Sequence, residues 1–170
     1  MRLGQIGVRR AASADASRIA AVHDTAWAQT YRGIVPGREL DRMIARRGPL
    51  WWKRALDRHT AILVLEVAGE LRGYATVGPN RMRMLPLAGE IYELYLTPEA
   101  QGLGFGRHLF EAARAELRRY GLASFVVRVL ADNDGARGFY ERLGGSIAAE
   151  TGERIGETTL PVVVYGFSAE

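Results

Sequence analysis

Cysteine is absent from this 170-residue chain, which excludes disulfide scaffolds, thiolate nucleophiles, thiolate zinc sites and iron–sulfur clusters. Lysine is nearly absent: Lys53 stands alone, so the basic charge is almost all guanidinium, whose planar fork suits carboxylate and phosphate. The three histidines, His23, His59 and His108, are far apart and show no His-x-x-x-His spacing, so no metal is expected. No run approaches the roughly 18 consecutive apolar residues of a membrane-spanning helix. The start, Met1-Arg2-Leu3-Gly4-Gln5, lacks the apolar core of a secretory signal, and the reading is a cytoplasmic protein with no membrane partner. No linker rich in Pro, Gly or Ser, no repeat and no low-complexity tract divides the chain, so residues 1–170 read as a single domain. What is there, 48% hydrophobic and 25% charged residues, is the composition of a compact fold. Basic residues outnumber acidic ones by 23 to 19, a net +4 spread along the chain. Nucleic acid is not expected without a clustered basic stripe, whereas a small anionic ligand fits.

Two hydrophobic periods alternate along the sequence. Ile6 to Arg9 reads as a strand, and Ser13 with Asp15 offers cap chemistry for a helix through Ile19, Val22, His23 and Trp27. His23 and Trp27, four apart, read as a packing pair. Arg38 to Arg47 and Pro49 to Arg58 are further helices, the first with Leu40, Met43 and Ile44 on one face. Thr60 to Val67 and Leu71 to Val77 flank Ala68-Gly69-Glu70 as a hairpin, and a loop from Pro79 to Gly89 carries Arg81 and Arg83. Glu90 to Leu96 is a strand, Gly104 to Tyr120 a helix with Leu109, Ala113 and Leu117 facing the sheet, and Ser124 to Leu130 a buried strand. Asp132-Asn133-Asp134 caps a helix through Leu143, stopped by Gly144-Gly145, and Ser146 to Ala149 and Thr158 to Phe167 complete the set. About seven strands and four to five helices, with a βαβ unit from Glu90 to Leu130, predict a mixed α+β sheet.

The segment Gln101-Gly102-Leu103-Gly104-Phe105-Gly106-Arg107, between a strand and a long helix, has the logic of an anion cradle. Glycines let backbone approach a ligand, and the first helical N–H groups face it with the positive end of the helix dipole. A P-loop would need Gly-Lys-Ser/Thr where Gly106 is followed by Arg107-His108, and a dinucleotide fold would place the turn after the first strand of a parallel sheet; both readings fail. His108 reads as a solvent-facing neighbour.

Leu94 to Gly106 is similar to the acyl-CoA-binding signature of the GNAT superfamily of N-acetyltransferases, Gln/Arg-x-x-Gly-x-Gly/Ala, which Gln101, Gly104 and Gly106 fill completely. Ala131 to Gly145 resembles a second family block, Asn-x-x-Ala with a following Phe-Tyr and Gly-Phe; only Gly145 departs, where Phe is commoner. The likeness extends from Ile6 to Phe167. It implies a GNAT-type α+β fold, a mixed, largely antiparallel seven-stranded sheet splayed into an acyl-CoA cleft, and acetyl-CoA as cosubstrate. It also implies that amides of Gln101, Gly102, Leu103, Gly104, Phe105, Gly106 and Arg107 hold the pyrophosphate, and that backbone groups of Leu94 and Leu96 pair with the pantetheine arm. Asn133 would contact the cofactor, although the residues alone read it as a helix cap. A backbone N–H of Leu94 or Tyr95 would polarise the thioester oxygen, and Tyr140 would protonate the departing thiolate.

Acetyl transfer to an amine also needs a base, because an ammonium near pKa 10 must first lose its proton. Glu90 and Glu93 are the candidates. Strand alternation puts them on opposite sides unless a bulge intervenes. The resemblance favours Glu90, proximity to the acetyl group favours Glu93, and ordered water serving in place of both is the third alternative. The resemblance places the acceptor against the first two helices and the loop before Glu90, here against Trp27, Tyr31 and Arg83; Trp27-x-x-x-Tyr31 followed by Arg32-Gly33-Ile34 resembles a segment of many bacterial GNAT proteins of unassigned substrate, and the alternative for Trp27 and Tyr31 is that they only plug the helix–sheet interface. The leading reading is an N-acetyltransferase acting on a small-molecule amine. The alternatives are an acetyltransferase of protein termini or lysines, and a non-catalytic acyl-CoA sensor. The apolar run Leu160 to Tyr165 reads either as central core or as a dimer edge; Pro161 favours an edge or strand start, and pairing across it would give a homodimer.

Overall fold

The computed structural model describes residues 5–58 and 60–170; the signal reading over Met1 to Gly4 and His59 lie outside the described residues. The strands are β1 (Ile6–Arg10), β2 (Ala61–Val67), β3 (Glu70–Pro79), β4 (Gly89–Leu96), β5 (Phe125–Leu130), β6 (Ser146–Ile155) and β7 (Thr158–Phe167). The helices are α1 (Ala16–Tyr31), α2 (Gly37–Ala45), α3 (Pro49–Asp57), α4 (Phe105–Arg119) and α5 (Asp134–Arg142). One seven-stranded sheet runs in the order β1-β2-β3-β4-β5-β7-β6. Every neighbouring pair is antiparallel except β4 and β5, and that parallel pair needs the crossover that α4 supplies.

Apolar spacing decides which helix covers which face. Leu109, Phe110, Ala113 and Leu117 of α4 are fully buried against Leu65, Ala75, Ile91 and Phe125; burying a Leu or Phe side chain contributes roughly 1.5–3 kcal/mol. On the opposite face, Ile19 and Trp52 of α1 and α3 pack on Val64 and Tyr74. Leu40, Met43 and Ile44 of α2 pack on Val126, Val162 and Val164. The sheet is therefore covered differently over its two halves.

Three local expectations are corrected. The residues ahead of α1 do not cap it: Ser13 donates to Asp57 at 3.0 Å, and the Asp15 carboxylate accepts from the Ala12 N–H at 2.8 Å and from Arg9 and Arg18. The first turn is a separate 3-10 segment, Ser13–Asp15. Strand β6 runs on to Ile155 instead of stopping at Ala149, because its backbone pairing with β7 carries an exposed edge that has no apolar alternation to mark it. Strand β7 is not an edge but lies between β5 and β6, so no second chain can pair across it. Pro161 sits where β5 has just ended, and the carbonyl of Ala131, opposite it, accepts from the Arg137 guanidinium at 3.2 Å in place of the N–H that proline lacks.

The feature that makes the site is a fork. Strand β4 pairs with β5 only at Gly89, Glu90 and Ile91, against Phe125, Val126 and Val127. Beyond that, β4 follows β3 to Leu96 while β5 follows β7 to Leu130. The register of β3 on β4 steps from Val77↔Ile91 to Thr76↔Glu93, leaving Tyr92 as an extra residue, and such a bulge bends its strand.

Candidate active site

The fork opens into a cleft of about 720 Å³ lined by Leu94, Tyr95 and Leu96 of β4, by Gln101, Gly102, Gly104, Gly106 and Arg107 of the glycine loop, and by Asn133 and Tyr140. Ten of the expected cofactor residues are thus gathered on one cavity. Leu103 and Phe105 are not in its lining: Leu103 is exposed, and the Phe105 ring turns down into the core under α4.

The register shows which backbone groups the cleft receives. The Thr97 N–H donates to the Arg72 carbonyl on the β3 side at 2.8 Å. Successive residues of a strand send their N–H and C=O groups to alternate sides, so Tyr95 also bonds toward β3 while Leu94 and Leu96 face the cleft. Leu96 and Leu94 therefore offer the free edge expected of them, and the Tyr95 N–H does not. The Leu96 carbonyl accepts from the Gln101 side chain at 3.3 Å.

At the mouth of α4, Gly102 (φ +75°) and Gly104 (φ +84°) hold left-handed conformations that turn the chain into the helix. A Cβ on either would meet no atom within 4 Å, so the loop leaves open space above it. The N–H groups of Phe105, Gly106 and Arg107 have no partner inside the helix. Arg107 and Arg142 add positive charge to the lining. Asn133 caps α5, its Oδ1 accepting from the Ala136 N–H at 3.2 Å, and its position also lines the cleft. Free amides, a helix N-terminus, two guanidiniums and an unpaired strand edge are what the pyrophosphate and amide-rich arm of coenzyme A would use.

A second cavity of about 190 Å³ lies on the other face of β4 and shares Tyr95 with the first. Trp27 and Tyr31 line it. Arg83 does not: it is exposed, and Arg81 of the same loop takes the place, stacked 4.2 Å over the Tyr92 ring. The bulge at Tyr92 shifts the alternation of β4, so Glu90 and Glu93 share a face instead of opposing each other. Their surroundings differ. Glu90 is 1% exposed and fully engaged by the Arg81 backbone N–H at 3.0 Å and the Arg81 guanidinium at 2.8 Å, and it lines neither cavity. Glu93 lines the second cavity, accepting from Arg47 and, at 2.7 Å, from the Tyr74 hydroxyl.

Burial sets the phenols. The Tyr140 hydroxyl is held well above the usual phenol pKa by burial, and Tyr31 is pushed up to about 12 by burial. The Tyr31 and Tyr95 hydroxyls bond to each other, and Trp27 packs edge-on to Tyr31 at 5.6 Å. Arg47 stacks over Trp27 at 5.1 Å and Trp51 at 4.5 Å. His23 packs on Trp27 at 4.5 Å, the pairing expected of it, and is buried, while His108 is exposed. Among lining residues the sequence did not single out, Phe139 and Arg142 continue the Tyr140 helix face, and Arg128 is the lone charge in an otherwise apolar strand. That isolation was the available signal.

A forked sheet with a cleft along one free strand edge, met at Tyr95 by a second cavity, is the arrangement of an acyltransferase. Residues 19–145 match the acetyltransferase (GNAT) family, and the chain belongs to it. An uncharacterized N-acetyltransferase of Bacillus subtilis (strain 168), YuaI, is 30% identical over 163 residues, covering 95% of this chain and 92% of that one. A mycothiol acetyltransferase of Paenarthrobacter aurescens (strain TC1) is 37% identical over 102 residues, 59% of this chain and 30% of the relative, so the match spans under a third of that protein. The fold is similar to that of the PaiA N-acetyltransferase from Thermoplasma acidophilum in complex with coenzyme A, with a TM-score of 0.73 over 96% of this chain and 99% of that one, at 18% identity.

Proposed function

We propose that residues 1–170 form one N-acetyltransferase domain that moves the acetyl group of acetyl-CoA to a primary amine of a small molecule by direct attack within a ternary complex. The observation that carries this reading is the meeting of the two cavities at Tyr95. The smaller one, at about 190 Å³, is below the roughly 300–1,000 Å³ of pockets for drug-sized ligands, which supports a small acceptor over a protein tail. The relatives named for mycothiol point the same way.

Acetyl-CoA supplies the acetyl group: a C–N bond forms as the C–S bond breaks, the ammonium loses two protons, the thiol keeps one and one goes to solvent. The Leu94 N–H, directed into the cleft, is the donor for the developing oxyanion. Glu93, in the acceptor cavity, takes the ammonium proton directly or through water; Glu90, saturated by Arg81, keeps the 81–90 loop in place. Tyr140, an acid far above neutral pH that burial raises further, carries its proton and donates it when negative charge appears on the neighbouring sulfur. Gln101, Arg107 and the first amides of α4 anchor the phosphates, with Asn133 beside them.

The test is a thiol-release assay with acetyl-CoA against amines and peptides, with calorimetric titration of acetyl-CoA alongside. Turnover of a small amine supports the reading. Turnover confined to peptides would move the acceptor to protein, and binding without turnover would leave a sensor.

A further inference from the structure

The acceptor cavity carries three guanidiniums, from Arg47, Arg81 and Arg128, and two of them are already answered. Arg47 pairs with Glu93, and Arg81 with Glu90. Arg128 makes no ion pair among the described residues, and its Nε is buried without a hydrogen-bond partner. Glu153, the other carboxylate of the lining, sits exposed on β6 and is not joined to it. A guanidinium cannot shed its charge, and one held beside Val129, Leu130 and Val162 without an anion is unfavourable. The fold fixes its place. Arg128 follows Val127, the last β5 residue paired to β4, so it stands at the fork, across the cavity lining from Glu93 and Tyr95.

We propose that the acceptor is a compact amine that also bears an oxyanion, carboxylate or phosphonate, whose anionic end is taken by Arg128 while its amine meets Glu93. This rests on the acetyl-transfer reading above and narrows its substrate class. A guanidinium and an oxyanion match in planar, two-pronged geometry. Amino acids have this chemistry. Polyamines and aminoglycosides bring further cations to a cavity whose half-buried, unpaired Arg128 is already positive, and a lysine tail brings no anion.

The experiment compares kcat/KM for the protein amino acids, their carboxamides, their decarboxylated amines, the matching aminophosphonates and spermidine. It uses the wild type, Arg128→Gln and Arg128→Lys, with thermal melting to verify that the variants fold. The wild type is expected to prefer an anion-bearing amine over its carboxamide and decarboxylated partner by about 10- to 100-fold. Arg128→Gln is expected to erase that preference by raising KM for the acceptor while KM for acetyl-CoA stays, and Arg128→Lys to restore part of it. The acid and phosphonate arms identify which oxyanion is taken. Carboxamides, plain amines or spermidine turned over as well as the acids by the wild type overturn the proposal and leave acetyl transfer standing. So does a preference that survives in Arg128→Gln. No CoA release with any member overturns the acetyl-transfer reading, and this proposal with it.

Discussion

Tyr140 forms part of the cleft wall with a hydroxyl that makes no hydrogen bond among the described residues, while its ring packs edge-on to Phe139 at 5.0 Å. Removing that oxygen takes away the proton donor proposed above without breaking a hydrogen bond among the described residues. Tyr140→Phe should therefore lower kcat by roughly 100-fold or more, leave KM for acetyl-CoA little changed, and leave the melting temperature unchanged or higher. The two glutamates should separate in the opposite sense. Glu93→Gln is expected to cut kcat and flatten its pH profile with the fold intact. Glu90→Gln is expected to lose about 1–2 kcal/mol of stability, since the buried carboxylate anchors Arg81 and the loop N–H, with a smaller effect on kcat. Equal kcat losses in the two variants would remove the assignment of Glu93 as base. The sequence could name Glu90, Glu93 and Tyr140 but not rank the glutamates, because their facing depends on one bulged residue, Tyr92, that no composition reveals. Nor could it choose between Arg81 and Arg83, two positions apart in an aperiodic loop. The departure at Gly145 has a local cause: a Cβ there would come within 2.7 Å of the Phe167 ring, which stacks on Phe125 at 4.8 Å and fills the space.

Elements with strong periodicity were legible in the sequence, and those without it were not. Helix α4 announces itself through Leu109, Ala113 and Leu117, and its start through the glycines before it. The outer half of β6 is invisible because Glu150 to Arg154 are exposed and held by backbone pairing alone. The apolar run of β7 is compatible with either a central or an edge strand, and Pro161 tilts the sequence toward the edge; its missing donor is replaced from outside the sheet by Arg137. The glycine loop yields its own test. Gly104 has φ +84° and open space around the absent Cβ, so Gly104→Ala meets no clash and costs about 1 kcal/mol of backbone strain. The entry to α4 should shift with it, raising KM and Kd for acetyl-CoA several-fold while acceptor KM is unmoved. Calorimetry with coenzyme A reads this directly, and an unchanged Kd would mean that the loop does not hold the phosphates.

Across the whole molecule, two buried groups set how it responds to acid. Burial lowers the His23 pKa, so below about pH 6.5 the unfolded chain takes up a proton that the native chain refuses, and stability falls. Asp15, held far below the usual carboxylate range chiefly by Arg9, contributes stability that is present above about pH 4 and lost as pH falls further. Denaturant midpoints measured against pH should thus decline in two steps. His23→Asn should remove the first step and Asp15→Asn the second, and a single step in the wild type would exclude one of the two groups. The mixed sheet could be read from the order of elements, and its opening between β4 and β5 from the family resemblance, whereas the smaller cavity could be read from neither. Its walls come from α1, α2, the loop after β3, and strands β4, β5, β6 and β7, segments that meet only in three dimensions. The placement of indole rings follows from the same geometry. Trp27 lines the smaller cavity, proposed above for the acceptor, Trp51 lies against Arg47 and Trp52 packs on Tyr74, while no tryptophan lines the larger cleft among the described residues. Intrinsic emission is therefore an optical label for one chamber only: acceptor arrival should alter its intensity and quenching by iodide, and filling the carrier chamber should leave both nearly still.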